Sequence, residues 1–413
     1  MRDEALPASP AAGEGRPARL PLAIYVLAMG VFLMATTEFV VAGLLPDIAG
    51  DMRVSVAQAG ALITVFAVGM IVGAPLMALA TLRVPQRLTL ALALGVFAVG
   101  HVIVAVGPDL WVVLAARFLT ALATGAFWAI AAVVGTRIAG PGAASRAMGI
   151  INAGGMLATV LGVPLGAFAG QLIGWRGTFW ALAALAVAAV ALIIRHIPHI
   201  GARHQPVSVR SEFTALGSVR LWLALAACAA TTGGVLAAYS YIAPLLTDRT
   251  GISAGLVPLV LAGFGIGSLA GSVLGGRLGD TRPHTATIVA PAATTAILLA
   301  ICFVSSAPLP TVVLIALLGL FGLGANPVLI ALAVRYAAHA PTLGSSLSVA
   351  AFNTGTAAAT WLGGIALESG LGATGPVAVG TAIAALTLVP AIALARVQRR
   401  RAQDATPSVP SVR

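Results

Sequence analysis

The sequence contains no lysine, and only 8% of its 413 residues are charged. A soluble domain carries about 25% charged residues, whereas here hydrophobic residues make up 59% and the mean hydropathy is +1.03. A chain without lysine has no phosphate-binding loop of the Gly-x-x-x-x-Gly-Lys type, which argues against ATP-driven transport by this chain alone. The composition therefore predicts a polytopic, all-α membrane protein.

Cysteine is almost as scarce, with Cys228 and Cys302 alone in the sequence. Both lie in apolar segments without metal-ligand spacing, so we expect no disulfide framework, no metal site and no cofactor. The net charge of +11 comes from arginines dispersed in short connections between apolar segments. We therefore expect no nucleic-acid partner, and no set of residues indicates an enzyme.

Apolar segments long enough to cross a bilayer recur along the chain, and a crossing helix needs about 20 residues. We predict twelve spans at 22–45, 56–80, 87–106, 110–138, 146–170, 175–197, 220–246, 253–276, 285–305, 310–336, 344–368 and 374–396. A polar central loop, 198–219, separates a six-helix bundle at 21–197 from a second bundle at 220–397. Residues 1–20 are predicted to form a disordered tail, and 398–413 a second tail.

The arginines are distributed unequally between the two sides of the predicted topology. Only Arg53, Arg176 and Arg249 fall on one side, Arg117 lies within a span, and the rest of the 23 basic residues fall on the other. Cytoplasmic connections carry the excess of basic residues. We therefore expect a cell-membrane protein with both tails and the central loop in the cytoplasm.

The two predicted bundles resemble each other at a shift of 201 residues. Leu-Leu-Pro-Asp at 44–47 then falls on Leu-Leu-Thr-Asp at 245–248, and Asn152 falls on Asn353. With six spans each, both copies point the same way across the membrane. Such parallel repeats are typical of transporters whose halves rock about a central site.

Glu38 lies inside the first predicted span and is the only acidic residue deep within any of them. A charge at that depth costs about 2.5–3.5 kcal/mol on insertion scales, and such groups usually mark an ion or substrate path. A structural carboxylate paired with a neighbouring helix is the alternative.

Several motifs are similar to those of one transporter family. They occur at 36–46 (Thr-Thr-Glu-Phe-Val-Val-Ala-Gly-Leu-Leu-Pro), 68–75 (Val-Gly-Met-Ile-Val-Gly-Ala-Pro), 116–119 (Ala-Arg-Phe-Leu), 162–166 (Gly-Val-Pro-Leu-Gly), 174–180 (Gly-Trp-Arg-Gly-Thr-Phe-Trp), 241–246 (Tyr-Ile-Ala-Pro-Leu-Leu) and 351–353 (Ala-Phe-Asn). Through them the chain resembles the arabinose-efflux and chloramphenicol-efflux-like branch of drug:proton antiporters in the major facilitator superfamily. The resemblance covers nearly all of 20–398 and implies a fold of two six-helix parallel repeats.

The fourth span carries Arg117, Thr120, Thr124 and Trp128 on one helix face, at spacings of three and four. Arg117 and Glu38 each lie about 10 Å below the same membrane boundary, counted at 1.5 Å per residue. The resemblance implies that the first and fourth helices line the cavity and that the arginine takes part in proton coupling. A static salt bridge is the alternative.

Further polar residues are candidates for the substrate cavity. They are Thr37, Thr120, Thr124, Trp128, Asn152, Tyr239, Tyr241, Asn326 and Asn353. Tyr239 falls on Glu38 at the shift of 201. Helix–helix hydrogen bonds are the alternative for the asparagines, an interfacial aromatic belt for Tyr241, and a simple kink for the Asn326-Pro327 step. A helix–helix hydrogen bond is also the preferred interpretation of His101, ahead of a proton relay.

Two other motifs concern conformational change. Gly162, Pro164 and Gly166 in the fifth span match the family's antiporter motif, which implies a hinge and close packing between helices. Residues 275–283, between spans eight and nine, resemble the family's cytoplasmic loop motif. That resemblance implies a charge latch of Asp280 with Arg277 and Arg282. The corresponding loop of the first half lacks an acid.

These features together predict a monomeric, multi-pass transporter in the lipid bilayer that exports a small amphipathic molecule in exchange for protons. A drug or antibiotic is the expected cargo, with a phenicol such as chloramphenicol favoured by the resemblance. Two alternatives are the export of a sugar, nucleoside or other metabolite, and a non-transporting membrane receptor or regulator of the same fold.

Overall fold

The computed structural model describes residues 20–80, 84–140, 143–198, 217–337 and 341–404, and within these ranges the protein is helical without strands. The predicted disordered tail, most of the central loop and the end of the second tail lie outside the described residues.

The helices of the first half are α1 Leu22–Met52, α2 Val56–Ala80, α3 Gln86–Val106, α4 Leu110–Ala139, α5 Ala144–Leu157 and α6 Val163–His196, with a π-turn at Ala158–Gly162 between the last two. Those of the second half are α7 Val219–Ser240, α8 Val257–Thr281, α9 Pro283–Val304, α10 Pro308–Gly322, α11 Asn326–Tyr336, α12 Pro341–Leu367 and α13 Gly375–Asp404.

Twelve membrane crossings follow from these helices. Ten helical stretches in the described residues are long and apolar enough to cross a membrane, and Ala144–His196 is one of them with 53 residues. That stretch is about 80 Å long and accounts for two crossings. It is interrupted at Gly174, whose φ of 74° is unfavourable for residues with a Cβ. Pro341–Leu367, made less apolar by its serines, threonines and asparagine, supplies the twelfth.

An even number of crossings brings the first and last helical residues to the same side of the bundle. We call this side the termini end, and the opposite side, which includes Arg53 and Gly174, the Arg53 end. The first helix, α1, reaches farther than predicted, through Pro46 to a left-handed cap at Arg53. Burial of Ile48 and Ala49 stabilises these additional turns.

Two other predicted boundaries also differ from the structure. The segment 275–283, interpreted as a loop, belongs to the last turns of α8 up to Thr281. The last helix, α13, continues to Asp404, beyond the boundary predicted at 397. At the Asn326-Pro327 step, for which a cavity-lining role and a simple kink were both considered, the helix is interrupted, because α11 begins at Asn326 after a short non-helical turn.

Glycine contacts confirm the internal repeat. A Cβ on Gly154 would collide with the carbonyl of Ala28, and a Cβ on Gly355 would collide with the carbonyl of Ala229. Both members of the second pair lie 201 positions after those of the first (355 − 154 and 229 − 28). Small residues thus bring the fifth span onto the first, and the eleventh onto the seventh, in the same register.

The hydrophobic cores show where the two halves meet. One large buried cluster, toward the Arg53 end, joins residues of both halves, including Val41, Leu45, Ile63, Leu246, Leu261 and Leu298. Toward the termini end the described residues form separate clusters, one in the first half with Leu27, Leu94 and Ile193, and others in the second half with Leu221, Leu332 and Leu394. The halves are therefore packed together at the Arg53 end and have individual cores toward the termini end.

Candidate functional site

Arg117 is fully buried, and α1 and α2 hold its guanidinium. Its Nη1 donates to Thr37 Oγ1 at 2.9 Å, and its Nε donates to the Leu62 carbonyl at 3.5 Å. The guanidinium carbon lies 4.2 Å from the centre of the Phe66 ring, in cation–π geometry. Arg117 Nη2 is buried without a hydrogen-bond partner. An unpaired donor of this kind is costly in a protein interior. Nη2 can therefore still donate a hydrogen bond to a group that enters the site.

His101 completes a hydrogen-bonded chain across three helices. Its Nδ1 lies 2.7 Å from the Phe97 carbonyl, and its Nε2 lies 2.7 Å from Thr37 Oγ1. Because a carbonyl only accepts, Nδ1 carries the proton, and Nε2 of the neutral ring accepts from the Thr37 hydroxyl. The same hydroxyl accepts from Arg117. The helix–helix hydrogen bond predicted for His101 is therefore confirmed.

Glu38 is half-buried and follows Thr37 on α1. In the described residues no ion pair within 4.0 Å joins Glu38 to Arg117. Glu38 and Arg117 are therefore not in direct contact, although their charges interact electrostatically. The Arg117 guanidinium contacts Thr37, which directly precedes Glu38 in the chain. A role of Glu38 and Arg117 in proton coupling remains a prediction.

Several predicted cavity residues use their polar atoms for local bonds. Thr120 and Thr124 are fully buried, and each donates to a carbonyl of its own helix. Asn353 Nδ2 donates to the Val349 carbonyl. Tyr241 is 1% exposed and donates to the Thr360 carbonyl at 2.9 Å. That burial against α12 rules out the interfacial-belt interpretation of Tyr241.

Other candidates retain unused polar atoms. Trp128 Nε1 and Asn326 Oδ1 are buried without a partner among the described residues, and so are the hydroxyls of Thr231 and Thr232 on α7. Asn152 is exposed. The indole N–H can donate, the amide oxygen can accept and each hydroxyl can do both, and none of these groups carries a formal charge. Each of them can therefore form a hydrogen bond with a neutral molecule.

Tyr239, the counterpart of Glu38, lies where the halves meet. It is 2% exposed, with its ring centre 4.4 Å from that of Phe264 and 6.4 Å from that of Phe39 on α1. Tyr239 of the second half is thus buried beside Phe39, the residue that directly follows Glu38.

The antiporter motif packs against both α1 and the second half. Gly162 and Gly166 contact Thr36 and Val40 so closely that a Cβ would not fit. The π-turn Ala158–Gly162 directly precedes Pro164, which lies in the first turn of α6. Proline lacks the N–H that a continuous helix would use, and π-turns of this kind often mark functional sites.

The predicted latch residues Arg277, Asp280 and Arg282 are all exposed near the termini end of α8 and after it. In the part of the chain that the structure describes, none of the three forms an ion pair. The latch therefore stays a prediction for a different conformation.

Two polar clusters at the Arg53 end escaped the sequence analysis. Asp51 Oδ2 accepts from Trp175 Nε1 and Arg176 Nε, which ties α1 to the start of the sixth span. Between the halves, Ser55 Oγ donates to Glu368 Oε1 at 2.5 Å. The first cluster overlaps the motif at 174–180, whereas no local signal joins two residues that are 313 positions apart.

Comparison with known proteins agrees with this architecture. A sequence model described as Major Facilitator Superfamily matches residues 27–253 and again 224–412, so that each half is matched. The chain is 35% identical to a chloramphenicol resistance protein of Streptomyces lividans, over 90% of this chain and 95% of the relative. It is 33% identical to the inner membrane transport protein YdhP of Escherichia coli O157:H7, over 91% of this chain and 96% of the relative.

A solved structure shares the fold. It is a bacterial homologue of the human lysosomal transporter Spinster, in an inward-facing and occupied conformation, with a TM-score of 0.68 and 17% identity. The alignment covers 92% of this chain and 96% of the other. Transporters of this fold are not enzymes, which agrees with the sequence. The chain belongs to the major facilitator superfamily.

Proposed function

We propose that this transporter exports small, neutral or lipophilic amphipathic molecules in exchange for protons, with a phenicol such as chloramphenicol as the substrate to test first. One observation carries the proposal. Arg117 is fully buried, and its guanidinium donates a hydrogen bond to Thr37, the residue directly before the acid Glu38 in the first span.

Glu38 is the proposed exchanging acid. Whether a carboxyl is charged depends on its access to water and on the nearest cation. Both conditions change when two halves rock about a central site, because the site is hydrated from one side and then from the other. Proton release and substrate binding at one place would then compete, and this competition produces exchange.

The proposed cargo follows from the polar atoms left free and from the relatives. Trp128 Nε1 can donate, Asn326 Oδ1 can accept, and the hydroxyls of Thr231 and Thr232 can do both. None of these groups carries a charge, so they favour neutral cargo over anions or polycations. The similarity to a chloramphenicol resistance protein supports a phenicol.

The proposed orientation places the termini end in the cytoplasm, as the arginine distribution indicates. The packed Arg53 end would then face outward, so the described conformation would be closed to the outside. Reaction of a cysteine at Ser253 with an impermeant thiol reagent in intact cells is the expected result.

A flux assay tests the proposal. Purified protein in proteoliposomes receives an imposed pH gradient and a panel of a phenicol, a sugar, a nucleoside and an organic cation. We expect phenicol flux that follows the gradient and collapses with a protonophore. Binding without flux would instead support a receptor, and sugar or nucleoside flux would replace the proposed cargo.

A further inference from the structure

We propose that Thr37 and His101 are positioning residues that hold Arg117 away from Glu38, so that the carboxyl can both gain and lose a proton within one cycle. This inference rests on the proposed function. It deepens that function by assigning residues beyond the acid and the arginine.

His101 fixes the directions of the hydrogen bonds around Thr37. His101 Nδ1 is committed to the Phe97 carbonyl, so Nε2 must accept from the Thr37 hydroxyl. The hydroxyl hydrogen therefore points toward His101, and an oxygen lone pair is left for Arg117 Nη1 at 2.9 Å. A hydroxyl that gave its hydrogen to its own helix would lack this polarisation and would accept less strongly from the guanidinium.

Without its contact to Thr37, Arg117 would be only weakly restrained. Its other restraints are a long bond to the Leu62 carbonyl and the face of Phe66. The Nη2 donor is already free of partners. A guanidinium released from Thr37 has the neighbouring carboxylate of Glu38 as its strongest acceptor, since charge-assisted pairs exceed neutral ones.

Direct pairing of Arg117 with Glu38 would impair exchange. A directly paired guanidinium favours the ionised carboxylate, so Glu38 would take up its proton only in more acidic solution. A transporter that cannot reload the proton near neutral pH stops turning over. The spacing between Arg117 and Glu38 is thus part of the coupling device.

Arg117 is the charged side chain that acts electrostatically on His101 among the described residues. The first helix contributes Thr37, next to Glu38; α4 contributes Arg117 through Thr37; and α6 contributes the Phe179 ring at 5.6 Å. Glu38 and Arg117 are therefore the charges whose balance His101 can affect.

The test compares the pH profile of exchange in two matched pairs of variants. His101→Gln keeps an acceptor near the position of Nε2, whereas His101→Asn keeps only the donor side. Thr37→Ser keeps the hydroxyl, whereas Thr37→Val removes it at nearly constant volume. We expect the midpoint of the profile to move toward acid by about 1–3 pH units in His101→Asn and Thr37→Val. The profile should stay near that of the wild type in His101→Gln and Thr37→Ser.

Equal profiles within both pairs would overturn the inference. If His101→Asn does not reach the membrane, the Thr37 pair supplies the same test on its own. Glu38→Gln is measured in parallel. A pH-dependent Glu38→Gln protein would contradict the proposed coupling itself, whereas a pH-independent Glu38→Gln with unshifted His101→Asn and Thr37→Val would contradict only the positioning role.

Discussion

The Arg117 guanidinium is held by three different kinds of contact. It donates to the Thr37 hydroxyl and to the Leu62 carbonyl, and it lies over the face of the Phe66 ring. A lysine ammonium is a compact, strongly hydrated charge that cannot reproduce this planar geometry. The site is therefore specific for arginine and not merely for positive charge.

We expect Arg117→Lys to lose at least about tenfold in efflux rate, which corresponds to one lost charged hydrogen bond. Rates are measured in cells with matched membrane levels of each protein. Arg137→Lys, near the termini end of the same helix, is the control and should remain close to the wild type. Full activity of Arg117→Lys would show that charge alone is enough.

The residue-scale prediction from sequence was only partly complete. Depth along the helices placed Glu38 and Arg117 at the same level in the membrane. Arg117 could be recognised as a functional candidate because it is a charged residue within an apolar span. The contact that Arg117 makes with Thr37 depends on rotamers and on the rotation of α1. Neither property is encoded in spacing, so the bridging role of Thr37 could not be predicted.

The fifth span and α8 form a contact between the halves that depends on a small residue. A Cβ on Gly265 of α8 would collide with the Thr159 carbonyl, at the π-turn of the other half. Glycine is required there because two backbones approach each other directly. Thr159 lies within the π-turn Ala158–Gly162, whereas the sequence motifs indicated only a hinge near Pro164.

We expect Gly265→Ala to destabilise the described conformation by about 1–3 kcal/mol, because the added methyl overpacks a backbone contact. Thermal unfolding in detergent and accessibility of the Arg53 end to thiol reagents would report the change. Gly276→Ala on the same helix is the matched control, since a Cβ there meets nothing within 4 Å. An equal response of both variants would contradict the close-approach argument.

The last turns of α8 contain the acid of the proposed latch. Asp280 is exposed and unpaired in the described residues, as expected if the latch forms only when the termini end closes. We expect Asp280→Asn to reduce transport more than any single substitution at 76–86, where the first half has no acid. Efflux rates of the two sets decide this, and equal losses would remove the asymmetry between the halves.

The whole molecule is a pair of repeated bundles joined most firmly at one end. The twelve crossings were predicted from the lengths of the apolar segments. The shift of 201 was predicted from residues that recur in both halves. The state of the halves could not be predicted from the sequence, since the same residues must pack in more than one arrangement. The Ser55–Glu368 bond shows this, because nothing in either segment indicates the other.

We expect the two halves to separate at the Arg53 end during each transport cycle. In a background without Cys228 and Cys302, we expect Ser55→Cys together with Glu368→Cys to be crosslinked by a short bifunctional thiol reagent. The crosslinked protein should lose transport and regain it when the link is reduced, whereas each single cysteine should remain active. Undiminished transport by the crosslinked protein would exclude opening at this end.

The most direct test of the central claim is proton-driven chloramphenicol transport by Glu38→Gln in proteoliposomes, beside the wild type and Glu38→Asp at equal protein density. Glutamine keeps the shape and much of the hydrogen bonding of Glu38 but cannot release a proton. We predict that Glu38→Gln inserts normally yet accumulates no substrate in response to a pH gradient, while Glu38→Asp retains some response. Accumulation by Glu38→Gln with the pH dependence of the wild type would show that Glu38 is a structural carboxylate and that coupling occurs elsewhere.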